Sequence, residues 1–73
     1  MACYVVFDKA SNKQLRVFAC ELFDVKDRQR AYTLAVDMAK GLHKAGYSSI
    51  VEEMLICDFG PIVFDSDKDA RLL

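Results

Sequence analysis

Residues 24–46 read DVKDRQRAYTLAVDMAKGLHKAG, and this stretch decides the fold class. Its apolar residues recur at the three- and four-residue spacing of a single helix face. Asp24 suits the N-cap position, and Gly46 stands where helices commonly end in a left-handed residue. We therefore predict an amphipathic helix over about residues 25–45. Its predicted core stripe comprises Ala31, Leu34, Ala35, Met38, Leu42 and Ala45.

Strand-like segments lie on both sides of this helix. Residues 3–7 and 15–23 are rich in β-branched and aromatic side chains, and the short polar link between them predicts an antiparallel hairpin. Residues 49–59 predict a third strand, and residues 62–64 predict either a short fourth strand or a hydrophobic clip. The expected fold is α+β, in the order β-β-α-β with or without a terminal β. One helix packs on one face of an antiparallel sheet of three to four strands.

The chain has 73 residues, enough for one domain. We assign residues 1–64 to this domain and expect the polar segment 65–73 to be a flexible tail. The three cysteines form no closed disulfide framework, and neither a signal peptide nor an apolar run of about 20 residues is seen. These features predict a reduced, cytoplasmic protein.

The cysteines and the single histidine, His43, are the first candidates for chemistry. A thiol enzyme needs a cysteine and a histidine within hydrogen-bond reach, but the local sequences match no known nucleophile motif. A zinc site usually contains closely spaced cysteine pairs, and Cys3, Cys20 and Cys57 are far apart in sequence. We expect Cys20 and Cys57 to pack in the core, and we predict no catalytic residue, no metal and no cofactor.

Charge is distributed unevenly along the chain, although the net charge is only −1. Residues 1–45 hold eight Lys or Arg against five Asp or Glu, whereas residues 46–73 hold two against six. Near neutrality argues against a strongly basic nucleic-acid binder, and direct contact with nucleic acid or a membrane is not expected. The two halves could still meet partners of different charge.

Two charged clusters are candidate contact sites. Lys26, Arg28 and Arg30 oppose the dipole at the start of the helix, so they could serve an acidic surface or form an ordinary solvated helix end. An acidic group at the other end of the chain could dock on basic side chains of a partner, or could only protect an edge strand from pairing. Its members are Glu52, Glu53, Asp58, Asp65, Asp67 and Asp69, and the first three are the predicted contact residues.

A third candidate surface is the sheet face that one helix cannot cover. The first two strands are apolar on both faces, so an open face would expose apolar side chains and mark a partner contact or a dimer interface. The side chains expected there are drawn from Tyr4, Val6, Leu15, Val17 and Ala19.

The layout over residues 4–58 resembles small phage or mobile-element inhibitor proteins of ββαβ architecture. These include anti-CRISPR proteins and phage inhibitors of host RNA polymerase. The elements that carry the resemblance are the strand at residues 4–7, the polar turn, the strand at 15–23, the capped helix and the strand at 50–57. The resemblance is one of architecture, so it transfers no functional residue.

The resemblance implies a binding protein, not an enzyme. It implies that the chain inhibits or modulates a host macromolecular complex by occupying its surface, and a CRISPR effector or RNA polymerase is the first expected partner. The alternatives are a self-associating structural or regulatory dimer built on the open sheet face, and a weak nucleic-acid-binding module using Lys26, Arg28 and Arg30.

Overall fold

The computed structural model describes residues 2–55 and 60–69. One helix packs on a four-stranded antiparallel sheet with strand order β2-β1-β3-β4, which confirms the α+β prediction. The terminal apolar segment is a fourth strand and not a clip. The elements are β1 (Ala2–Asp8), β2 (Gln14–Cys20), α1 (Val25–Lys44), β3 (Ser49–Met54) and β4 (Ile62–Asp65).

The helix begins and ends where the sequence predicts. The Asp24 side chain accepts a 3.1 Å hydrogen bond from the Asp27 backbone N–H, as expected of an N-cap. At the other end, the Tyr47 N–H donates to the Leu42 carbonyl at 2.9 Å, and Gly46 takes a positive φ of 92°. This is the Schellman arrangement, in which a glycine without Cβ adopts the left-handed conformation at little cost.

The helix packs on the sheet through a stripe of small side chains. Ala31, Ala35 and Ala39 are fully buried at a spacing of four residues, and they let the helix backbone approach the strands closely. The predicted stripe was partly wrong, because Leu34 is 42% exposed and Ala45 is exposed. A step of four residues turns slightly more than once around a helix of 3.6 residues per turn. The buried stripe therefore rotates gradually and includes Ala39, which the prediction left out.

The helix covers the face of the sheet to which Tyr4 and Val6 point. Both side chains belong to the buried cluster beneath the helix, with relative exposures of 5% and 0%. The expectation that they lie on the open face was therefore wrong. Because β1 is apolar on both faces, its sequence does not reveal which face the helix covers. The cluster also includes Ala2, Cys20, Val51 and Phe64.

The second strand is shorter than predicted. It ends at Cys20, and the Glu21 backbone N–H donates to Asp27 Oδ2 at 2.8 Å. The Asp24 N–H donates to the Glu21 carbonyl at 3.3 Å. These bonds turn the chain into the helix, so Phe23 lies in the connecting turn and not in the strand.

The ordered fold continues past residue 64, where we placed the domain boundary. Asp65 is the last residue of β4, and Ser66 is fully buried. The Ser66 hydroxyl accepts a 2.9 Å hydrogen bond from the Ser49 N–H, and the Asp69 N–H donates to the Asp65 carbonyl at 2.8 Å. Residues 65–69 are thus part of the folded domain, whereas residues 70–73 lie outside the described chain. Within the described ranges, no helix has the length and apolar content that a bilayer crossing requires.

Candidate partner-binding surfaces

The turn that leads into the helix presents two apolar side chains to solvent. Phe23 is 94% exposed and Val25 is 68% exposed, and we call this pair the Phe23 knob. Together with Glu21, Asp24 and Lys26 they line a shallow surface at the start of α1. An almost fully exposed phenylalanine gains nothing from the hydrophobic effect in the isolated domain, so this turn is a candidate contact site.

The position of Phe23 relative to the helix cap explains its exposure. It directly precedes the N-cap residue Asp24, where an apolar side chain commonly packs against the fourth residue of the helix. That fourth residue is Arg28, which turns towards the sheet and offers no apolar partner. The usual packing partner is therefore replaced by a cation, and the aromatic ring of Phe23 remains in solvent.

A cleft of about 270 Å³ lies beside the knob, between the first half of α1 and the ends of β1 and β3. Val25 belongs to both, so the knob and the cleft form one continuous surface. The cleft combines two tyrosines, an arginine, an amide and a carboxylate with one aliphatic side chain. Its lining residues are Tyr4, Val25, Arg28, Gln29, Tyr32 and Glu53.

Tyr4 and Glu53 form the polar floor of this cleft. The Tyr4 hydroxyl donates to Glu53 Oε2 at 2.7 Å, and its ring meets that of Tyr32 edge to face at 5.6 Å between centroids. Burial, followed by the hydrogen bond and the negative charge of Glu53, raises the pKa of Tyr4 to about 12. The phenol therefore stays protonated and acts as a hydrogen-bond donor in this site.

The three basic residues at the start of the helix do not form one patch. Arg30 turns towards β2, where its Nε lies 2.8 Å from Asp27 Oδ1 and its Nη2 donates to the Ala19 carbonyl at 3.2 Å. Arg28 lines the cleft, where its Nε is buried and has no hydrogen-bond partner within the described part of the chain. Lys26 is exposed beside the knob. Positions two apart on a helix point in different directions, so the three cations diverge.

The predicted acidic face is also divided. Glu52 and Glu53 point to opposite faces of β3: Glu53 bonds to Tyr4 on the helix side, and Glu52 lies beside Val5 on the other. Asp58, the third predicted member, lies outside the described residues.

Further along the chain, internal ion pairs occupy two more carboxylates. Asp65 and Asp67 both pair with the Lys9 ammonium at 3.0 Å. The acidic half of the chain therefore presents no continuous charged surface over the residues described.

The face of the sheet opposite the helix has no other described element on it. Val5 and Phe7 lie at its centre on β1, and they are only 2% and 8% exposed. The remaining apolar side chains are more open, with Val17 44% and Ile62 55% exposed. This face is apolar at its centre, but β3 places the carboxylate of Glu52 on it, between Val5 of β1 and Ile62 of β4.

Cys20 packs in the core, as predicted. Cys20 is buried, and burial, with a smaller contribution from the charge of Asp27, raises the pKa of its thiol. A raised pKa keeps the thiol protonated and weakly nucleophilic. Cys3 is half-buried and free, whereas Cys57 lies outside the described residues. Among residues 2–55 and 60–69, no group of three or more His, Cys, Asp or Glu side chains is arranged to hold a metal ion.

Comparison with protein-family models, with curated proteins and with solved structures finds no match.

Sequence reasoning missed Phe23, Val25 and Tyr32 as candidate contact residues. Two signals in the sequence could have found them. An apolar residue before the N-cap with a cation at the fourth helical position indicates an aromatic ring without a packing partner. Extending the helical stripe back one turn from Ala31 places Arg28 on the sheet-facing side, next to Tyr32.

Proposed function

We propose that this chain is a non-catalytic protein-binding domain whose main contact surface is the Phe23 knob with the adjoining cleft. The observation that carries the proposal is the 94% exposure of Phe23. The turn that presents it is held by backbone and side-chain hydrogen bonds from Glu21, Asp24 and Asp27. The ring is therefore displayed from a defined position.

The composition of this surface suits a protein partner. Aromatic residues and arginine dominate the energetics of protein interfaces, especially where apolar anchors lie beside buried polar groups. Here Phe23, Val25 and Tyr32 supply the apolar anchors, and Arg28 supplies a buried donor at Nε. A turn that is already ordered loses little conformational entropy on binding, which favours affinity.

A nucleic-acid partner is supported less well. Phosphate recognition relies on several cations arrayed along one surface. In this chain Arg30 is engaged with Asp27 and β2, Arg28 lies within the cleft, and only Lys26 extends freely beside the knob.

The partner class is a host macromolecular complex that the chain inhibits or modulates by covering part of its surface. A CRISPR effector and a bacterial RNA polymerase are the first partners to test, because the ββαβ layout of the chain resembles that of small proteins that inhibit these complexes. Binding through the knob requires a partner with an apolar pocket and an acceptor for Arg28.

The test compares wild-type protein with Phe23→Ser and with Tyr47→Ser as a matched control. Tyr47 is an aromatic residue that is 61% exposed beyond the opposite end of the helix. Tagged proteins are used to retain partners from bacterial lysate, and the affinity for each purified complex is then measured. We expect Phe23→Ser to weaken binding by at least roughly 30-fold, the loss of about 2 kcal/mol typical of a central aromatic anchor.

Tyr47→Ser is expected to bind as wild type does. Equal loss of binding in both variants would show that the effect is not specific to the knob. Full binding by Phe23→Ser would refute the proposed contact surface.

A further inference from the structure

The outer strand β2 presents an unprotected edge. It forms one end of the sheet, and β1 is its only neighbouring strand among the described residues. Its sequence, QLRVFAC, is seven residues long and contains no proline, lysine or acidic residue. Five of its residues are exposed, including Leu15 and Val17. Edge strands commonly contain protective charges or prolines because free backbone groups attract another strand, and β2 has only Arg16.

The direction of the free backbone groups follows from one contact. The Ala19 carbonyl accepts its hydrogen bond from Arg30 Nη2, so it points away from β1. Inward- and outward-directed residues alternate in an antiparallel pair. Val17, two residues earlier, therefore directs both its N–H and its C=O outward at the middle of the free edge.

The opposite edge of the sheet is protected. Strand β4 has four residues and follows Gly60-Pro61, and its pairing with β3 is interrupted by a register shift. The Asp65 N–H is already bonded to Asp69 Oδ2 at 2.9 Å, and Lys68 lies against the same strand. These features leave β2 as the single open edge in the described sheet.

We propose that two copies of this chain pair through their β2 strands, which run antiparallel across a two-fold axis at Val17. Because β2 is the one open edge, strand pairing between copies of this chain joins β2 to β2, so the assembly closes as a dimer and does not extend into a filament. The result is a continuous sheet of eight strands, with the helices on one face and the apolar open faces joined on the other.

The side chains of β2 favour this register over the one centred on Arg16. A two-fold axis perpendicular to the sheet keeps each side chain on its own face, so the axis must lie midway between two copies of the same residue. An axis at Arg16 would place two guanidinium groups directly opposite each other, which is unfavourable. An axis at Val17 places Arg16 opposite Phe18 of the partner subunit. Arg16 already lies over the Phe18 ring of its own chain at 5.5 Å, so this pairing extends a cation–π contact.

The test is sedimentation velocity on the full chain from low to high micromolar concentration. We expect wild-type protein to shift from monomer to dimer, Val17→Lys to remain monomeric and Ile62→Lys to dimerise as wild type does. Ile62 is a matched control because it is an exposed aliphatic residue on the other outer strand. Circular dichroism of each variant verifies that it is folded.

Wild-type protein that stays monomeric throughout, or a Val17→Lys variant that dimerises normally, would overturn the pairing. Loss of the dimer in Ile62→Lys alone would indicate face-to-face association and would also overturn it. Failure of this inference is separable from failure of the proposed function, because Phe23→Ser leaves β2 intact and Val17→Lys leaves the knob intact.

Discussion

The hydroxyl of Tyr4 donates a 2.7 Å hydrogen bond to Glu53 Oε2 and so links β1 to β3 in the cleft beside the Phe23 knob. Burial of the phenol, with the nearby carboxylate, raises the pKa of Tyr4 to about 12 from its ordinary value of 10.0. This part-buried pair therefore makes the free energy of unfolding depend on pH in the alkaline range.

The stabilisation that protonated Tyr4 provides is expected to disappear at high pH. Because its folded-state pKa lies above the unfolded value, the contribution is fully present below pH 10.0 and is lost as the pH rises towards about 12. Spectrophotometric titration of wild-type protein and Tyr4→Phe gives the ionisation of Tyr4 as the difference between the two curves. A difference curve centred near 10.0, while the protein stays folded, would contradict the prediction.

The same substitution is expected to lower the free energy of unfolding at neutral pH by about 1 kcal/mol, because Glu53 loses a hydrogen-bond donor. Urea unfolding provides the measurement. Tyr47→Phe is a suitable control, since Tyr47 is 61% exposed and its hydroxyl makes no contact with Glu53.

The Lys9 ion pairs are expected to make the fold sensitive to acid. Burial opposes ionisation of Asp65, but hydrogen bonds from the Lys9 ammonium and the Asp67 N–H outweigh it and lower the pKa of the Asp65 carboxyl. A lowered folded-state pKa stabilises the protein above the unfolded value of 3.8, and this contribution is lost as the pH falls below it.

Lys9→Met should therefore unfold at a lower urea concentration at neutral pH, and its deficit relative to wild type should shrink in acid. Lys13→Met removes an exposed lysine from the same turn and provides the control. An equal deficit at both pH values would show that Lys9 acts through packing and not through its charge.

Two glycines are expected to respond oppositely to alanine. A Cβ at Gly41, inside the helix, meets no other atom, so Gly41→Ala should stabilise the fold by about 0.5–1 kcal/mol. A Cβ at Gly60 would fall on the Glu53 backbone carbonyl, so Gly60→Ala should destabilise it by about 1–3 kcal/mol. Urea midpoints of the two variants provide the test. A neutral Gly60→Ala would mean that the chain passes Glu53 less closely than described.

Arg30 is expected to restrain self-association, because its Nη2 occupies the outward Ala19 carbonyl at the β2 edge. Arg30→Ala should free this acceptor and tighten the dimer several-fold in sedimentation experiments. Lys26→Ala removes the same charge one turn earlier without touching β2, and it should leave the dimer unchanged. Weaker association of Arg30→Ala would indicate that Arg30 supports the edge instead of covering it.

Local signals predicted the helix well. Asp24 and Gly46 act through neighbours within a few residues, so the helix boundaries could be predicted from sequence alone. The length of β2 was overestimated because the apolar run through Phe23 looks like a strand. The hydrogen bond from the Glu21 N–H to Asp27 ends it earlier, and that contact exists only once the helix is in place.

The candidate site was predicted less well, because its residues come from different elements. Lys26, Arg28 and Arg30 are close in sequence, but packing of the helix on the sheet sends Arg28 into the cleft and Arg30 to β2. Tyr4 and Glu53 are separated by 49 positions, and only the pairing of β1 with β3 brings them together.

The sequence by itself determined the secondary-structure order, the helix caps and the α+β class, because these depend on spacing and on contacts between near neighbours. The tertiary structure alone decided which face of β1 the helix covers, because Val5 and Val6 are equally apolar and point to opposite faces. That choice buries Tyr4 beside Glu53 and leaves Val17 on the open face. The order of the strands decides that β2, and not β4, is the unprotected edge of the sheet.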